Sequence, residues 1–273
     1  MAIASLLRKV KRLQALVALR NREPSALALL LDDPTQVLVQ AKMNPDPWQD
    51  QVLRSRAPRM LLLASRQAGK SSVAAALALH TALVVHGSPV LLLSPSLRQS
   101  GELFRKVVDL FNALGRPATV LAENKLQIEF ASGSRILSLP GTEGTVRGFS
   151  EVALLIIDEA ARVDNALYVA VRPMLAVSRG RLVALSTPFG KRGWFHDEWH
   201  GDGAWERVRI TAEQCPRITA EFLAEERQAL GERWYRQEYG CSFEDTIDAV
   251  FSHEDIRAAL SSDVKPLFEN SGT

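Results

Sequence analysis

Long apolar runs, cysteine clusters and a strong net charge are all missing from this 273-residue chain. No stretch approaches the roughly 18 uncharged apolar residues of a membrane-spanning helix, so we predict no membrane partner. The two cysteines, Cys215 and Cys241, lack metal-binding spacing and fit a reducing cytosol. With 33 basic and 31 acidic residues, the net charge of +2 neither demands nor excludes a nucleic-acid partner.

The composition is that of an ordinary globular protein, and the length suits one large domain with a small subdomain. Helical periodicity over residues 4–20 and 24–42 predicts an N-terminal helical extension, 1–46, which ends in a proline-rich turn. Residues 1–22 carry basic but no acidic side chains. That pattern fits either a solvated amphipathic helix or a segment that contacts phosphates.

Strands alternate with helices from residue 47 to residue 210. Apolar runs at 60–63, 90–93, 154–157 and 182–185 predict buried strands of a mainly parallel sheet with helices on both faces. Alternating runs at 125–130 and 135–139 predict a β-hairpin that adds antiparallel strands to one edge. The following charged, helical stretch predicts a lid subdomain over 211–262, followed by a flexible tail over 263–273.

The most informative segment is 60–72, an apolar strand that runs into Ala-Gly-Lys-Ser and then into an alanine-rich stretch. Backbone amides at a helix N-terminus bind phosphate, Gly69 lets the backbone approach, and Lys70 neutralises charge. The usual G-x-x-x-x-G-K-[ST] pattern has glycine where this chain has Ala64. The segment predicts a P-loop NTPase that binds ATP and Mg²⁺. The expected nucleotide contacts are Ser65, Arg66, Gln67, Ala68, Gly69, Lys70, Ser71 and Ser72.

Two later strands also end in residues suited to this chemistry. The strand at 154–157 runs into Asp158 and Glu159. Beside a phosphate loop, one carboxylate can anchor Mg²⁺ and a second can activate the attacking water. We therefore predict Asp158, with Ser71, for the metal and Glu159 as the catalytic base. The strand at 182–185 ends in Ser186-Thr187-Pro188, which either senses the γ-phosphate or simply ends the strand in a turn.

Taken together, these segments resemble the large terminase subunit of tailed bacteriophages. The resemblance rests on the phosphate loop with its embedded Arg66-Gln67, on Asp158-Glu159-Ala160-Ala161, on Ser186-Thr187-Pro188 and on 234–240. It covers about residues 24–260. It implies a RecA/ASCE-like α/β ATPase domain, the motor that uses ATP hydrolysis to move double-stranded DNA into a procapsid.

The resemblance also implies roles for individual residues. Gln49 resembles the glutamine that reads adenine, although it also fits an ordinary polar position on a helix. Arg66 resembles the loop arginine that contacts the γ-phosphate. Arg147 resembles an arginine that some members supply in trans, or is a surface residue of the turn at Gly148. The segment Ser186-Thr187-Pro188 resembles the motif that couples hydrolysis to DNA movement.

The partners implied by the resemblance are double-stranded DNA, a portal protein, a small terminase subunit and further copies of this chain in a ring, in the cytoplasm of the bacterial host. The family's C-terminal nuclease would need more strands beyond residue 253, so we expect no nuclease domain or activity here. Two alternatives stay open. The segment Asp158-Glu159-Ala160-Ala161 also resembles the acidic box of superfamily-two helicases, and the chain also fits a non-catalytic prophage remnant.

Overall fold

The computed structural model describes residues 25–140, 146 and 148–245, so the predictions for 1–24 and 246–273 lie outside the described residues. Its centre is an eight-stranded sheet. The strands are β1 (Arg59–Ala64), β2 (Pro89–Ser94), β3 (Val120–Glu123), β4 (Gln127–Phe130), β5 (Arg135–Pro140), β6 (Leu154–Asp158), β7 (Arg181–Ser186) and β8 (Glu206–Ile210).

Helices surround this sheet. They are α1 (Ser25–Asp32), α2 (Gln36–Gln40), α3 (Pro47–Arg54), α4 (Lys70–Val84), α5 (Leu97–Ala113), α6 (Asn165–Val171), α7 (Gly193–His200), α8 (Ala220–Leu230) and α9 (Glu232–Glu238). Within the described part of the chain, no helix is long and apolar enough to cross a membrane.

The strand order is β3-β4-β5-β2-β6-β7-β1-β8, and the run from β5 to β8 is parallel. Strand β7 lies between β1 and β6, so the segments that follow these three strands meet at one edge of the sheet. The predicted hairpin is confirmed as β4 and β5. Its second strand differs from the expectation, because β5 pairs parallel with β2 and only β4 runs against the parallel strands.

Alternate residues of each central strand enter two separate cores. Leu62 and Leu92 pack in the cluster that contains α3, α4 and α5, whereas Leu61 and Leu91 pack in the cluster that contains α6 and α7. Side chains of a strand point to opposite faces in turn, so a strand covered on both sides must be apolar at every position. This explains the uninterrupted apolar runs and confirms the predicted two-sided covering of the sheet.

The predicted helix over 24–42 is wrong in one respect, because the structure has two helices there. Helix α1 ends at Asp32 and α2 begins at Gln36, with Pro34 between them. Proline has no N–H to donate and its ring clashes with the preceding turn, so the helix cannot continue through it. The Asp33 carboxylate then accepts a hydrogen bond from the Thr35 N–H at 3.0 Å.

Within the described part of the predicted lid, up to residue 245, α8 and α9 meet at Gly231. This glycine has a φ of +76°, a left-handed conformation that ends α8. The Thr219 side chain accepts a hydrogen bond from the Phe222 N–H at the start of α8. The chain after α9 returns to the sheet, where the Tyr239 carbonyl accepts from the Ala212 N–H at 2.9 Å.

Two glycines give a matched test of the packing between β6 and β7. A Cβ on Gly180 would lie 1.9 Å from the Val152 carbonyl oxygen, whereas one on Gly101 of α5 would meet only Leu126 at 3.8 Å. We expect Gly180→Ala to lower the free energy of unfolding by about 2 kcal/mol or more because backbone atoms must move. Gly101→Ala should raise it by up to about 1 kcal/mol through helix propensity.

Urea denaturation of both variants measures these changes. Equal free energies of unfolding for the two variants would contradict the close approach of Gly180 to the Val152 carbonyl at the start of β7.

Candidate nucleotide site

The phosphate loop reverses the chain between β1 and α4. Gln67 and Gly69 both have left-handed backbones, with φ of +59° and +96°, and α4 begins directly after Gly69. The first turn of α4 therefore lies at the carboxyl edge of the parallel sheet, where helix amides can bind phosphate. Ala64 has no such conformation, because it is the last residue of β1 and pairs with Ile210. Alanine in place of glycine at this position therefore causes no backbone strain.

Lys70 is the first residue of α4 and is almost fully buried, with 9% of its surface exposed. Its Nζ donates to the Ala64 carbonyl at 3.0 Å and to the Ser65 carbonyl at 2.9 Å. Burial lowers the pKa of Lys70, and the nearby carboxylates of Glu159 and Asp158 oppose that effect. The ammonium group is thus held inside the phosphate loop.

Asp158 and Glu159 end β6 at the same edge of the sheet. Burial, reinforced by the charge of Glu159, raises the pKa of Asp158 to about 6. Glu159 has a left-handed backbone with φ of +50°, and its N–H donates to the Asp158 carboxylate at 3.0 Å. Non-glycine residues in this conformation are uncommon and cluster at functional sites. The structure therefore brings the two predicted acids together with Lys70.

The segment Ser186-Thr187-Pro188 begins at the last residue of β7 and is buried. The Ser186 hydroxyl accepts a hydrogen bond from the Ala161 N–H at 3.2 Å. Ala161 lies two residues after Glu159, so this segment contacts the chain that carries the acids.

Gln49 lies on α3 with 2% of its surface exposed. Its Oε1 accepts from the Asp46 N–H at 2.9 Å, which directs Nε2 away from Asp46. A Cβ on Gly69 would lie 2.6 Å from this Nε2 atom. The structure therefore places the predicted adenine-reading residue against the phosphate loop.

Arg66 is turned toward the lid rather than toward the acids. The Arg66 Nε lies 2.8 Å from a carboxylate oxygen of Glu238 on α9. The backbone N–H of Arg66 also donates to the backbone carbonyl of Glu238 at 2.9 Å. Nearly two thirds of the Arg66 side chain is exposed. Ser71 and Ser72 are half-buried in the first turn of α4. Arg147 lies outside the described residues.

Two functional candidates are absent from the prediction. Glu238 pairs with Arg66, and it lies in 234–240, a segment whose residues received no individual role in the prediction. Arg217 precedes α8, and its Nη2 donates to the Asp46 carboxylate at 2.8 Å and to the Ala68 carbonyl at 3.0 Å. No sequence pattern marks Arg217, because both contacts join segments that are far apart in the chain.

The donor set fits a magnesium ion that arrives with a nucleotide. No cluster of three or more His, Cys, Asp or Glu side chains suited to a metal occurs in residues 25–140, 146 and 148–245. Mg²⁺ in nucleotide sites usually has one or two carboxylate ligands, with phosphates and waters completing the shell. Asp158, buried beside Lys70 and Glu159, is such a carboxylate, and Ser71 is the second residue of α4.

The position of β7 between the phosphate-loop strand and the acidic strand, together with Lys70, Asp158 and Glu159, defines a P-loop NTPase of the RecA/ASCE-like class. The family model for the N-terminal part of large terminase subunits of the T4-like-virus type matches residues 61–258. The chain belongs to this family of phage large terminase subunits.

Relatives agree with this assignment. The large terminase subunit of Thermus virus P23-45 is 26% identical over 254 residues, which cover 80% of this chain and 52% of that protein. The chain thus spans about half the length of this curated relative.

Solved structures share the fold. The large terminase ATPase domain of Thermus phage P74-26 aligns with a TM-score of 0.67 and 22% identity, covering 76% of this chain and 97% of that domain. The large terminase of another thermophilic bacteriophage, solved in complex with ADP, has a TM-score of 0.61 and 13% identity, with 73% of this chain and 54% of that protein covered.

The raised pKa of Asp158 predicts a pH-dependent effect on stability. The folded chain binds this proton more tightly than the unfolded chain, so ionisation of Asp158 costs stability as pH rises from about 4 to about 6. In metal-free buffer, Asp158→Asn should raise the free energy of unfolding at pH 7.5 by up to about 3 kcal/mol. At pH 4.5 the gain should be much smaller.

Denaturant titrations with EDTA at both pH values measure the difference. Asp109→Asn, at an exposed position, is the control and should have little effect at either pH. A gain for Asp158→Asn that is the same at pH 4.5 and pH 7.5 would contradict the burial of this carboxylate.

Proposed function

We propose that this chain is the ATP-hydrolysing motor domain of a phage terminase and couples Mg-ATP hydrolysis to translocation of double-stranded DNA into a procapsid. The observation that carries the proposal is the meeting of buried Lys70 with Asp158 and Glu159 at one edge of the sheet, on either side of β7. The ADP complex of the thermophilic-phage terminase, which shares this fold, supports nucleotide binding by this chain.

In the proposed reaction, the first turn of α4 and Lys70 bind the phosphates. Lys70 exchanges its two backbone carbonyl partners for phosphate oxygens, which compensates its burial. Ser71 and Asp158 would hold Mg²⁺, which neutralises charge on the phosphates when bound. Glu159 orients a water and takes its proton as the water oxygen bonds to the γ-phosphorus, while the bond to the bridging oxygen breaks and ADP leaves.

Two arginines complete the proposed site. Arg66 would release Glu238 in order to contact the γ-phosphate, and this exchange would transmit the presence of the γ-phosphate to α9. Arg147 would enter the site of a neighbouring copy in a ring. Such arginines are worth about 10³ to 10⁵ in rate because they stabilise charge that spreads over the transferring phosphate.

Ser186 would couple hydrolysis to movement of the sheet. Its hydroxyl accepts from the Ala161 N–H, and this hydrogen bond joins the end of β7 to the loop that follows Glu159. A shift of the loop on hydrolysis would move this contact and, with it, the end of β7. The proposed domain units are 1–46, 47–210, 211–262 and 263–273. The proposed partners are DNA, the portal protein and the small terminase subunit, in the cytoplasm of the bacterial host.

The decisive variant is Glu159→Gln, which keeps the side-chain shape but removes the base. We expect the purified chain to hydrolyse ATP, with stimulation by double-stranded DNA and the small terminase subunit. Glu159→Gln should slow phosphate release by about 10² to 10⁴-fold, which is typical for loss of a general base, while ATP still binds. Phosphate release and calorimetric ATP binding measure the two effects.

Glu102→Gln is the matched control, because Glu102 is exposed on α5 and pairs only with Arg105 among the described residues. It should hydrolyse ATP like the unmodified chain. If the unmodified chain releases no phosphate under any of these conditions, the motor proposal fails and the non-catalytic prophage remnant is favoured. The motor proposal also fails if Glu159→Gln releases phosphate as fast as the unmodified chain.

The role of Arg147 in trans has its own test. Arg147→Ala and Glu159→Gln should each be inactive alone, yet mixtures should regain hydrolysis, because an intact Arg147 can serve an intact Glu159 on the neighbouring copy. The measurement is phosphate release across mixing ratios at a fixed total concentration. If no ratio restores activity, Arg147 does not act in trans.

A further inference from the structure

Arg217 lies in the lid segment shortly before α8, and its guanidinium lies against the phosphate loop. One nitrogen, Nη2, donates both to the Ala68 carbonyl and to the Asp46 carboxylate, at 3.0 Å and 2.8 Å. Asp46 is 7% exposed, whereas almost half of the Arg217 side chain is exposed. The contact therefore pairs a buried carboxylate with a cation that still reaches solvent.

Asp46 connects this arginine to Gln49. The Asp46 side chain accepts from Arg217, and the Asp46 N–H donates to Gln49 Oε1 at 2.9 Å. The two donors then meet at Gly69, where an added Cβ would lie 2.6 Å from Gln49 Nε2 and 3.1 Å from Arg217 Nη2. Gly69 thus leaves room for one amide and one guanidinium at the start of the phosphate-binding helix.

Each connection has a consequence for a bound nucleotide. The contact with Ala68 restrains the loop residue next to Gly69, which must keep its shape for the helix amides to meet phosphate. The contact with Asp46 restrains the residue that orients the Gln49 amide. A charge-assisted hydrogen bond with one buried partner is stronger than an exposed ion pair, because the carboxylate cannot regain water when the arginine is removed.

We propose that Arg217 is a positioning residue for the nucleotide, acting through Ala68 on the phosphate loop and through Asp46 on Gln49, so that the lid segment sets both nucleotide affinity and base preference. The inference rests on the proposed function of the site. Arg217 takes no part in bond breaking, and its loss affects binding more than turnover.

The test uses the full chain with Arg217→Ala and Arg217→Lys, and with Arg227→Ala as the matched control. Arg227 lies on α8 and pairs with Glu232 at 2.7 Å, away from the phosphate loop. We expect Arg217→Ala to weaken ATP binding about tenfold, the effect of one charge-assisted hydrogen bond. The ratio of ATP to GTP affinity should fall, KM for ATP should rise, and kcat should change less than about threefold.

Arg217→Lys should recover part of the affinity, because lysine keeps the positive charge but its ammonium ends one bond short of the Nη2 position that serves both acceptors. Arg227→Ala should match the unmodified chain in every measurement. Calorimetry with ATP and with GTP gives the ATP affinity and the ratio of ATP to GTP affinity. Steady-state phosphate release gives KM and kcat for ATP.

A second variant separates positioning from simple stability. Arg217→Ala leaves the Asp46 carboxylate buried without its cation, which lowers thermal stability by itself. The double variant Arg217→Ala with Asp46→Asn removes that charge and should recover the melting temperature. If positioning is the role of Arg217, the weak ATP binding and the reduced ATP preference persist in the double variant.

The outcomes are distinct. If the unmodified chain binds ATP but Arg217→Ala binds ATP and GTP within about twofold of it, the inference is wrong and the proposed function stands. If the double variant recovers both stability and nucleotide binding, Arg217 is only structural and the inference is again wrong. If the unmodified chain binds neither nucleotide, both the inference and the proposed function fail.

Discussion

The pairing of β7 with both β1 and β6 is the constraint on which the nucleotide site depends. Parallel strands end at the same edge, so this one pairing brings together the loop after β1, the acids at the end of β6 and the hydroxyl segment at the end of β7. The pairing is possible because each strand is apolar on both faces and is covered by helices on both sides. The burial that holds the sheet together therefore also determines the distances at the site.

The same burial destabilises the charged forms of Lys70 and Asp158 by removing water from around them. Lys70 has a lowered pKa and Asp158 a raised one, since neither charge has enough water around it. Glu159 adds a left-handed backbone to these costs. Charged nucleotide and metal ligands relieve such costs, which is why groups with shifted pKa values and strained residues concentrate where ligands bind.

The lid contacts the phosphate loop at two points of similar chemistry. Arg66 of the loop pairs with Glu238 of the lid, and Arg217 of the lid pairs with Asp46 and also donates to the Ala68 carbonyl. In each pair a partly exposed guanidinium reaches a buried carboxylate, so that removing the cation without a replacement is costly. Both contacts therefore tie the conformation of the phosphate loop to the lid.

The sequence by itself determined the elements and the kind of chemistry, because apolar runs, the Ala-Gly-Lys-Ser turn and the acids after 154–157 are local patterns. It also indicated Ser186 through the hydroxyl residues at the end of a strand, and Gln49 only through a family resemblance. The tertiary structure decided that β5 joins the parallel strands, that Arg66 faces Glu238, and that Arg217 reaches Asp46 across 171 positions. Such contacts depend on which surfaces pack together, and no local pattern of residues records that choice.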